Sequence, residues 1–330
     1  MTDEKVIELR NLEKTYLDFW RRPTVRALRG LDLAVSRGEV FGLLGPNGSG
    51  KSTTIKLLLG LIAPTAGTVS VFGRPPSDVA VKNRLGYLPE VSNLHRFLTP
   101  AETLRYYAGL FGLDGATANR RSEELLKMVG LEKAANREIG QFSKGMARRV
   151  GLAQSLINNP DLVVLDEPTS GLDPIAGRAV KDWIRALAQS GKTVFLTSHL
   201  LADVEDVCDR VAIICDGVLR AEGRVDELLQ RPDAVRFTVK DLPAERAESV
   251  RDGLAGIAGA KTDDIAIDHP RVNLETFFLD VVAEADAESG GGAVRTAAIA
   301  PFLTEGDSNA EARRTLRGAE NFEVFRGHTT

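Results

Sequence analysis

A glycine-rich turn between two apolar stretches carries the first candidate chemistry in the sequence. It follows the apolar run 40–44 and consists of Gly45, Pro46, Asn47, Gly48, Ser49, Gly50, Lys51, Ser52 and Thr53. Its glycines allow a tight bend with backbone N–H groups pointing inward, and the helix predicted to follow places its positive end behind them. Such a loop binds phosphates, with Lys51 at the β- and γ-phosphates and Ser52 on Mg²⁺. We therefore predict a nucleotide-phosphate site here rather than a solvated surface turn.

Two carboxylates and a histidine are candidates for hydrolysis. Asp166 and Glu167 end the apolar run 162–167, which is typical of a central parallel strand. Asp166 is suited to hold the metal, and Glu167 is suited to polarise an attacking water. His199 follows the similar run 193–198 and is a candidate contact of the γ-phosphate. The alternatives are that the acidic pair only begins a loop and that the histidine is structural or solvated.

Three other places in the sequence offer contacts for a nucleotide. Tyr16 lies shortly before the glycine-rich turn, where it can stack on adenine or simply pack in a hairpin. Glu90 is an acidic residue at the end of a predicted strand, 84–90. In 141–149, Ser143 and Gly145 open an amphipathic helix, and helix N-termini bind anions.

The elements that position these residues alternate between strands and helices. An antiparallel edge is predicted from the alternating segments 5–12 and 25–36. A capping box at Thr99 opens a mostly helical insert at 99–159. A hairpin is predicted at 210–222, with Asp216-Gly217 as its turn. The other predicted elements are strands at 68–72, 84–90, 162–167 and 193–198 and a helix at 175–189. Strands that alternate with helices and end in polar residues indicate an α/β fold with a largely parallel sheet and a site along its carboxyl edge.

The C-terminal third differs in character from the rest. Residues 232–285 predict a small α+β accessory region, with a strand at 235–240 and helices at 243–257 and 273–281. Beyond 286, a glycine run and scattered polar residues provide no convincing core, so we predict a mostly disordered tail at 286–330.

Composition limits the partners and the compartment. The net charge of -4 over 330 residues provides no basic excess for nucleic acid or anionic lipid, so no nucleic-acid partner is expected. The N-terminus does not resemble a signal peptide, so we expect a reducing cytoplasm. We expect the two cysteines, Cys208 and Cys215, to act there as small apolar side chains rather than as a disulfide or a metal site. No run reaches the about 20 apolar residues that cross a bilayer. A membrane role would therefore depend on another polypeptide.

Five segments, in this order and at this spacing, resemble the motifs of ABC transporter ATP-binding subunits. They are 45–53, 142–146, 162–167, 170–173 and His199. The resemblance covers about residues 4–231 and implies an ABC-type P-loop nucleotide-binding domain at 1–231, which binds and hydrolyses ATP with Mg²⁺. The Tyr-Leu-Pro-Glu and Ser-Lys-Gly-Met variants further resemble the ATPases of type-two exporters, which serve drugs, polysaccharides, lipids, sodium or gliding motility.

The resemblance also implies partners. Two subunits, either identical or homologous, would dimerise head to tail. ATP would lie between the phosphate loop of one subunit and Ser143, Lys144 and Gly145 of the other. Asp173 is counted with these ATP-binding residues. A separate integral-membrane permease would dock near 90–111. The expected location is therefore cytoplasmic and peripheral, on the inner face of the cell membrane.

Two positions depart from the commonest form of the family. Lys144 stands in the signature segment where a glycine is usual, and it either strengthens phosphate binding or faces solvent. Glu90 replaces the usual glutamine of the sensing loop, which leaves a metal-contacting role open, so we count Ser52, Glu90 and Asp166 as candidate metal ligands.

Other functions remain open to the family. A soluble ABC ATPase in translation usually carries two cassettes, and one in DNA repair carries a long coiled coil that the segment between Gly45 and Ser143 is too short to contain. A non-catalytic cassette is disfavoured by the presence of four intact residues, Lys51, Asp166, Glu167 and His199. Import is disfavoured because 232–285 is too short for the β-rich regulatory domain of sugar importers.

Overall fold

The computed structural model describes residues 4–229, 244–258 and 299–304. The chain divides into two compact units, one formed by Met1–Val225 with Val294–Thr330 and the other by Asp226–Ala293. The first unit contains all the candidate site residues.

A three-stranded antiparallel sheet forms one layer of the first unit. Its order is β2-β1-β4, from β1 (Lys5–Leu17), β2 (Pro23–Ser36) and β4 (Ala66–Val71). Alternate residues of β1, including Ile7 and Leu9, are buried, as the alternating pattern requires. The predicted antiparallel edge is confirmed, and both of its long strands extend further towards the hairpin tip than the sequence indicated.

A six-stranded sheet forms the centre of the same unit, in the order β5-β6-β7-β3-β8-β9. Its strands are β3 (Val40–Leu44), β5 (Leu85–Leu88), β6 (Leu162–Asp166), β7 (Thr193–Ser198), β8 (Arg210–Cys215) and β9 (Val218–Arg224). The first five strands in that order are parallel, and β9 pairs antiparallel with β8 through the predicted Asp216-Gly217 turn. Both turn residues have positive φ, 51° and 75°, as a two-residue hairpin turn needs.

Helices cover the central sheet and build the insert. They are α1 (Lys51–Leu58), α2 (Val79–Lys82), α3 (Pro100–Leu110), α4 (Gly115–Met128), α5 (Lys144–Leu156), α6 (Pro174–Gln189) and α7 (Leu201–Val207). The predicted capping box at Thr99 is present, with Glu102 as its partner at the start of α3. Helices α3, α4 and α5 form the helical insert that the sequence predicted.

Two apolar cores lie on opposite faces of the central sheet. Val163 and Leu165 of β6 belong to the core shared with the insert and α6, whereas Leu162 and Val164 face the core shared with the antiparallel sheet. Because both faces of β6 are buried, the strand is a continuous apolar run, and its first polar side chain appears at its carboxyl end.

The described part of the predicted tail is packed rather than disordered. A short 3-10 turn, Pro301–Leu303, buries Phe302 and Leu303 in the core that also contains the helical insert. Residues 299–304 are therefore an ordered part of the predicted tail, and the prediction of a mostly disordered tail over 286–330 stays a prediction. Sequence reasoning missed this contact because the apolar run 297–303 is too short to show the periodicity of a helix or a strand.

In the second unit the structure describes the end of α8 (Val225–Leu229) and α9 (Ala244–Ala258), where a helix at 243–257 was predicted. The strand predicted at 235–240 and the helix predicted at 273–281 lie outside the described residues. The boundaries 1–231, 232–285 and 286–330 stay predictions. Among the described residues, no helix is both long enough and apolar enough to span a membrane.

Candidate functional site

The glycine-rich turn joins the carboxyl end of β3 to α1 and requires glycine at two positions. Gly45 and Gly50 have φ of 156° and 112°. A Cβ on Gly45 would collide with the carbonyl of Ile214, and one on Gly50 would lie 2.7 Å from the carbonyl of Ala27. The backbone of neighbouring strands therefore approaches the loop too closely for any side chain at these positions.

Lys51 is held over this loop. It is 7% exposed, and its ammonium donates hydrogen bonds to the carbonyl oxygens of Gly45 at 2.6 Å and of Pro46 at 3.1 Å. As the first residue of α1, Lys51 stands at the positive end of the helix. A buried cation, a helix N-terminus and a glycine loop thus converge on one place, which suits phosphate oxygens.

Glu167 and His199 form a hydrogen-bonded pair at the carboxyl edge of the sheet. Nδ1 of His199 lies 2.7 Å from Oε2 of Glu167, and the backbone N–H of His199 donates to the same oxygen at 3.3 Å. The backbone N–H of Glu167 donates to the carbonyl of Thr197 at 3.1 Å. The Glu167 side chain is 8% exposed and that of His199 is 50% exposed, so the carboxylate is sheltered while the imidazole reaches solvent.

Asp166 precedes Glu167 at the end of β6 and is fixed by the neighbouring strand. Its Oδ1 accepts a hydrogen bond from the hydroxyl of Thr197 at 2.6 Å. Burial raises the pKa of Asp166 above its ordinary value, and the hydrogen bond from Thr197 opposes this shift. A bound cation would remove this penalty, because it favours the charged carboxylate.

Thr197 was missed by sequence reasoning. It precedes His199 by two residues on β7, and its side chain and backbone contact both acidic residues. A hydroxyl residue at the end of an apolar strand was the available signal, but strand pairing had to be known before its partners could be named.

Tyr16 and Glu90 approach the same space from two other elements. The hydroxyl of Tyr16 lies 3.3 Å from Oγ1 of Thr53, and the ammonium of Lys14 lies 5.5 Å from the ring centroid of Tyr16. Glu90 is exposed and follows β5, which pairs with β6. Its carbonyl accepts a hydrogen bond from Arg148 at 2.9 Å.

One cavity of about 340 Å³ brings most of the predicted residues together. Its wall is formed by the phosphate loop, the acidic pair, the histidine and two strands of the antiparallel sheet. The lining residues are Tyr16, Val25, Ala27, Asn47, Gly48, Gly50, Lys51, Ser52, Thr53, Glu90, Asp166, Glu167 and His199. Gly45, Pro46 and Ser49 complete the loop beneath it. This size and the mixture of cation, carboxylate and aromatic groups suit a nucleotide triphosphate.

The signature segment occupies a different surface. Ser143 is the N-cap of α5, and its hydroxyl accepts from the N–H of Met146 at 3.2 Å. Asp173 caps α6 in the same way, with Ala176 as donor at 2.8 Å. Lys144 extends across Gly171, where a Cβ would collide with its ammonium, and Gly145 lies beside Leu172. Ser143, Lys144, Gly145 and Asp173 therefore stand on adjoining helix ends and do not appear in the cavity wall.

Comparison with known proteins places this arrangement among transporter ATPases. Residues 28–170 match the family model described as ABC transporter. An uncharacterized ABC transporter ATP-binding protein of Nostoc sp. is 46% identical over 227 residues, which cover 68% of each chain.

Two further relatives have names that refer to export. A Nod factor export ATP-binding protein I of Burkholderia orbicola is 37% identical over 278 residues, covering 84% of this chain and 86% of that protein. A fluoroquinolones export ATP-binding protein of Mycobacterium tuberculosis is 43% identical over 235 residues, covering 69% of this chain and 77% of that protein.

Among solved structures, the chain is similar to a dimeric ATP-binding cassette in a post-hydrolysis state with bound ADP and Pi. The TM-score is 0.61 at 28% identity, and the match covers 66% of this chain and 98% of the other. The observed sheets and helices therefore correspond to the mixed α/β fold of these cassettes.

Proposed function

Since the chain belongs to the ATP-binding subunits of ABC transporters, we propose that it hydrolyses ATP at the cavity described above to drive export through a separate membrane permease. The export assignment rests on relatives named for the export of Nod factor and of fluoroquinolones. These two substrates differ widely, so the substrate of this chain stays open. None of the observations favours a role in translation or DNA repair.

The convergence of Lys51, Glu167 and His199 on one cavity carries the proposal. Lys51 neutralises charge on the β- and γ-phosphates. Glu167 accepts a proton from the attacking water, because its carboxylate is sheltered and oriented by His199. His199, half exposed at the same edge, contacts the γ-phosphate and so links nucleotide binding to the position of the base. Tyr16 stacks on the adenine ring.

Mg²⁺ fits the donor set at this cavity. Asp166, Glu90 and Ser52 provide oxygen donors only, and Mg²⁺ commonly uses one or two carboxylates together with phosphate oxygens. When bound, the ion neutralises charge that develops on the phosphates. Asp166, held by Thr197, is the better-fixed ligand, and Glu90 is the exposed one.

A second copy of this chain, or a homologous subunit, completes the site in the proposal. Ser143, Lys144, Gly145 and Asp173 lie on a solvent-facing surface outside the cavity wall. The N-terminus of α5 is suited to the phosphates of a nucleotide held by the opposite subunit. The dimeric cassette with ADP and Pi supports such an assembly.

Exposed apolar residues in the loop after β5 and on α3 support docking of the permease near 90–111. Val91, Phe97, Tyr106 and Leu110 are all more than half exposed. Exposed apolar side chains mark protein interaction surfaces where they form one patch, and all four fall within 20 residues of the chain. In the proposal, the subunit is cytoplasmic and peripheral, on the inner face of the cell membrane.

The test uses ATP hydrolysis by the purified full-length chain. We expect Lys51→Ala to abolish phosphate release and to weaken ATP binding, because the phosphates lose a charge-assisted partner. Near-normal turnover by this variant would refute the site assignment.

A second variant tests the dimer. Glu167→Gln is expected to bind ATP, to hydrolyse it very slowly and to accumulate as a closed dimer in gel filtration with ATP and Mg²⁺. If it stays monomeric at saturating ATP, both alone and with a permease that stimulates the wild type, the head-to-tail assembly is wrong.

A further inference from the structure

Arg148, on the second turn of α5, is buried beneath the acidic pair. It is 5% exposed, although it carries a permanent charge. A guanidinium has five N–H donors in a rigid fork. The structure provides five acceptors, the carbonyl oxygens of Pro89, Glu90, Asp166, Glu167 and Pro168. Every donor of the fork can therefore be satisfied by backbone, which accounts for the burial of this charged side chain.

These five carbonyls belong to two loops of the site. Nη2 donates to Asp166 at 2.7 Å and to Glu167 at 2.8 Å, and Nε donates to Pro168 at 3.3 Å. Nη1 donates to Glu90 at 2.9 Å and to Pro89. Arg148 thus ties residues 166–168, after β6, to the sensing loop at 89–90, after β5. Charge-assisted hydrogen bonds of this kind are stronger than neutral ones.

The backbone of Glu167 needs such support. Its φ is 49°, in the left-handed region that non-glycine residues rarely adopt. Strained residues persist only where surrounding contacts over-determine them, and they cluster at active sites. The N–H of Glu167 is held by Thr197 and its carbonyl by Arg148. These two bonds fix the peptide on either side of the residue and so fix the direction of its carboxylate.

Arg148 also shares a helix with the signature segment. It lies five residues after Ser143, the N-cap of α5, so one rigid element carries both. A displacement of the N-terminus of α5 therefore moves the guanidinium as well. Burial lowers the pKa of Arg148, and the negative charges of Asp166, Glu90 and Glu167 oppose this shift.

We propose that Arg148 is a positioning residue that holds Glu167 and the sensing loop in catalytic register and transmits movement of the signature helix to both. This inference rests on the proposed function, because it takes Glu167 as the base and Ser143 as a contact of the opposite ATP. Arg148 does not line the cavity, and its hydrogen bonds go to backbone carbonyls of these two loops, so it acts through them.

The experiment compares Arg148→Lys and Arg148→Gln with the wild-type chain by steady-state hydrolysis and by equilibrium binding of a fluorescent ATP analogue. Misplacing a catalytic group by 1 Å can reduce a rate about 100-fold. We expect kcat to fall by about this factor in Arg148→Gln and by less in Arg148→Lys, which keeps the charge but not the fork. The affinity for the analogue should hardly change, because the phosphate loop is intact.

A double variant separates positioning from general damage. If Arg148 acts through Glu167, then Arg148→Gln should cause little further loss of single-turnover rate when it is added to Glu167→Gln. If the two losses multiply, the proposed route through Glu167 is wrong.

Arg121→Gln is the matched control. Arg121 is also buried, donates to the carbonyl of Ile157 at 2.9 Å and lies on α4, away from the cavity wall. Its loss should lower the melting temperature without the selective fall in kcat. Equal kcat losses in the two arginine variants, at equal folded fractions, would overturn the inference, as would wild-type kcat in Arg148→Lys and Arg148→Gln.

Should Arg148→Gln not fold, Arg148→Lys decides, since a fixed fork predicts reduced kcat for it too. Failure of the proposed function is distinguishable, because it would appear as hydrolysis that does not depend on Lys51.

Discussion

Replacing Phe302 by alanine tests whether the C-terminal turn belongs to the cassette. The ring is 2% exposed and lies against the guanidinium of Arg121, with 4.7 Å between that group and the ring centroid. The N–H of Phe302 donates to Oε2 of Glu124 at 3.3 Å, so both α4 contacts depend on the turn staying in place. Leu303 beside it is also buried.

The expected loss in free energy of unfolding is about 3–5 kcal/mol, the range for truncating a buried phenylalanine. For a unit of about 150–250 residues, each kcal/mol lowers Tm by about 2–4 °C, so Tm should fall by about 6–20 °C. The loss in free energy of unfolding cannot exceed the whole contribution of the turn, because the turn can detach locally once its main anchor, Phe302, is removed. A truncation that ends the chain at residue 298 should therefore destabilise the cassette by about the same amount as Phe302→Ala.

The assay is thermal unfolding followed by circular dichroism, with urea unfolding to measure the free energy. Phe19→Ala is the control, because it removes the same atoms from a side chain that is 92% exposed, and exposed changes usually stay within about 0.5 kcal/mol. If Phe302→Ala and the truncated chain melt together with Phe19→Ala and the wild type, then the turn does not contribute to the core and the reasoning fails.

The remaining predictions concern metal, pH and thiol chemistry. Glu90→Gln should keep ATP binding but raise the Mg²⁺ concentration needed for half-maximal hydrolysis, because one oxygen ligand loses its charge; coincident Mg²⁺ titrations, alone and with a permease, would remove Glu90 from the site. The carboxylate of Asp114 caps α4 by accepting the N–H of Thr117, which lowers its pKa. The cap therefore stabilises the folded protein fully above the ordinary pKa of an aspartate, about 4. This stabilisation is lost as the pH falls through the lower pKa that Asp114 has in the folded protein. In Asp114→Asn, the melting temperature should fall less steeply as the pH is lowered below about 4. An unchanged dependence on pH would contradict this account. Burial raises the pKa of Cys208, so its thiol should stay neutral and unreactive at about pH 8 until the protein unfolds; rapid labelling of native Cys208, detected by mass spectrometry, would show that the site opens.

Local chemistry explains what could be predicted from the sequence. The phosphate loop was predictable because its glycines, Lys51 and Ser52 fall within one short stretch of the chain. The structure adds the reason for two of the glycines, since neighbouring backbone approaches Gly45 and Gly50 too closely for a side chain. The acidic pair was predictable because a strand buried on both faces is apolar throughout, so its first carboxylates mark the carboxyl edge. The hairpin turn at Asp216-Gly217 and the capping box at Thr99 depend on neighbours in the chain, and both are present.

Contacts between distant residues had to wait for the tertiary structure. Lys144 was expected either to strengthen phosphate binding or to face solvent. It is exposed, and its ammonium lies across Gly171, a neighbour that only folding brings to α5. The burial of Phe302 against α4 joins residues far apart in the chain and leaves no periodic trace.

Arg148 shows the same limit at the candidate site itself. In the sequence it is one of two adjacent arginines on an amphipathic helix, where a charge usually faces solvent. Its five acceptors are backbone carbonyls, which every residue carries, so no side-chain type reveals them. Residue types and spacing determined which groups are candidates for the chemistry, whereas strand pairing and helix packing decided which backbone holds those groups in place.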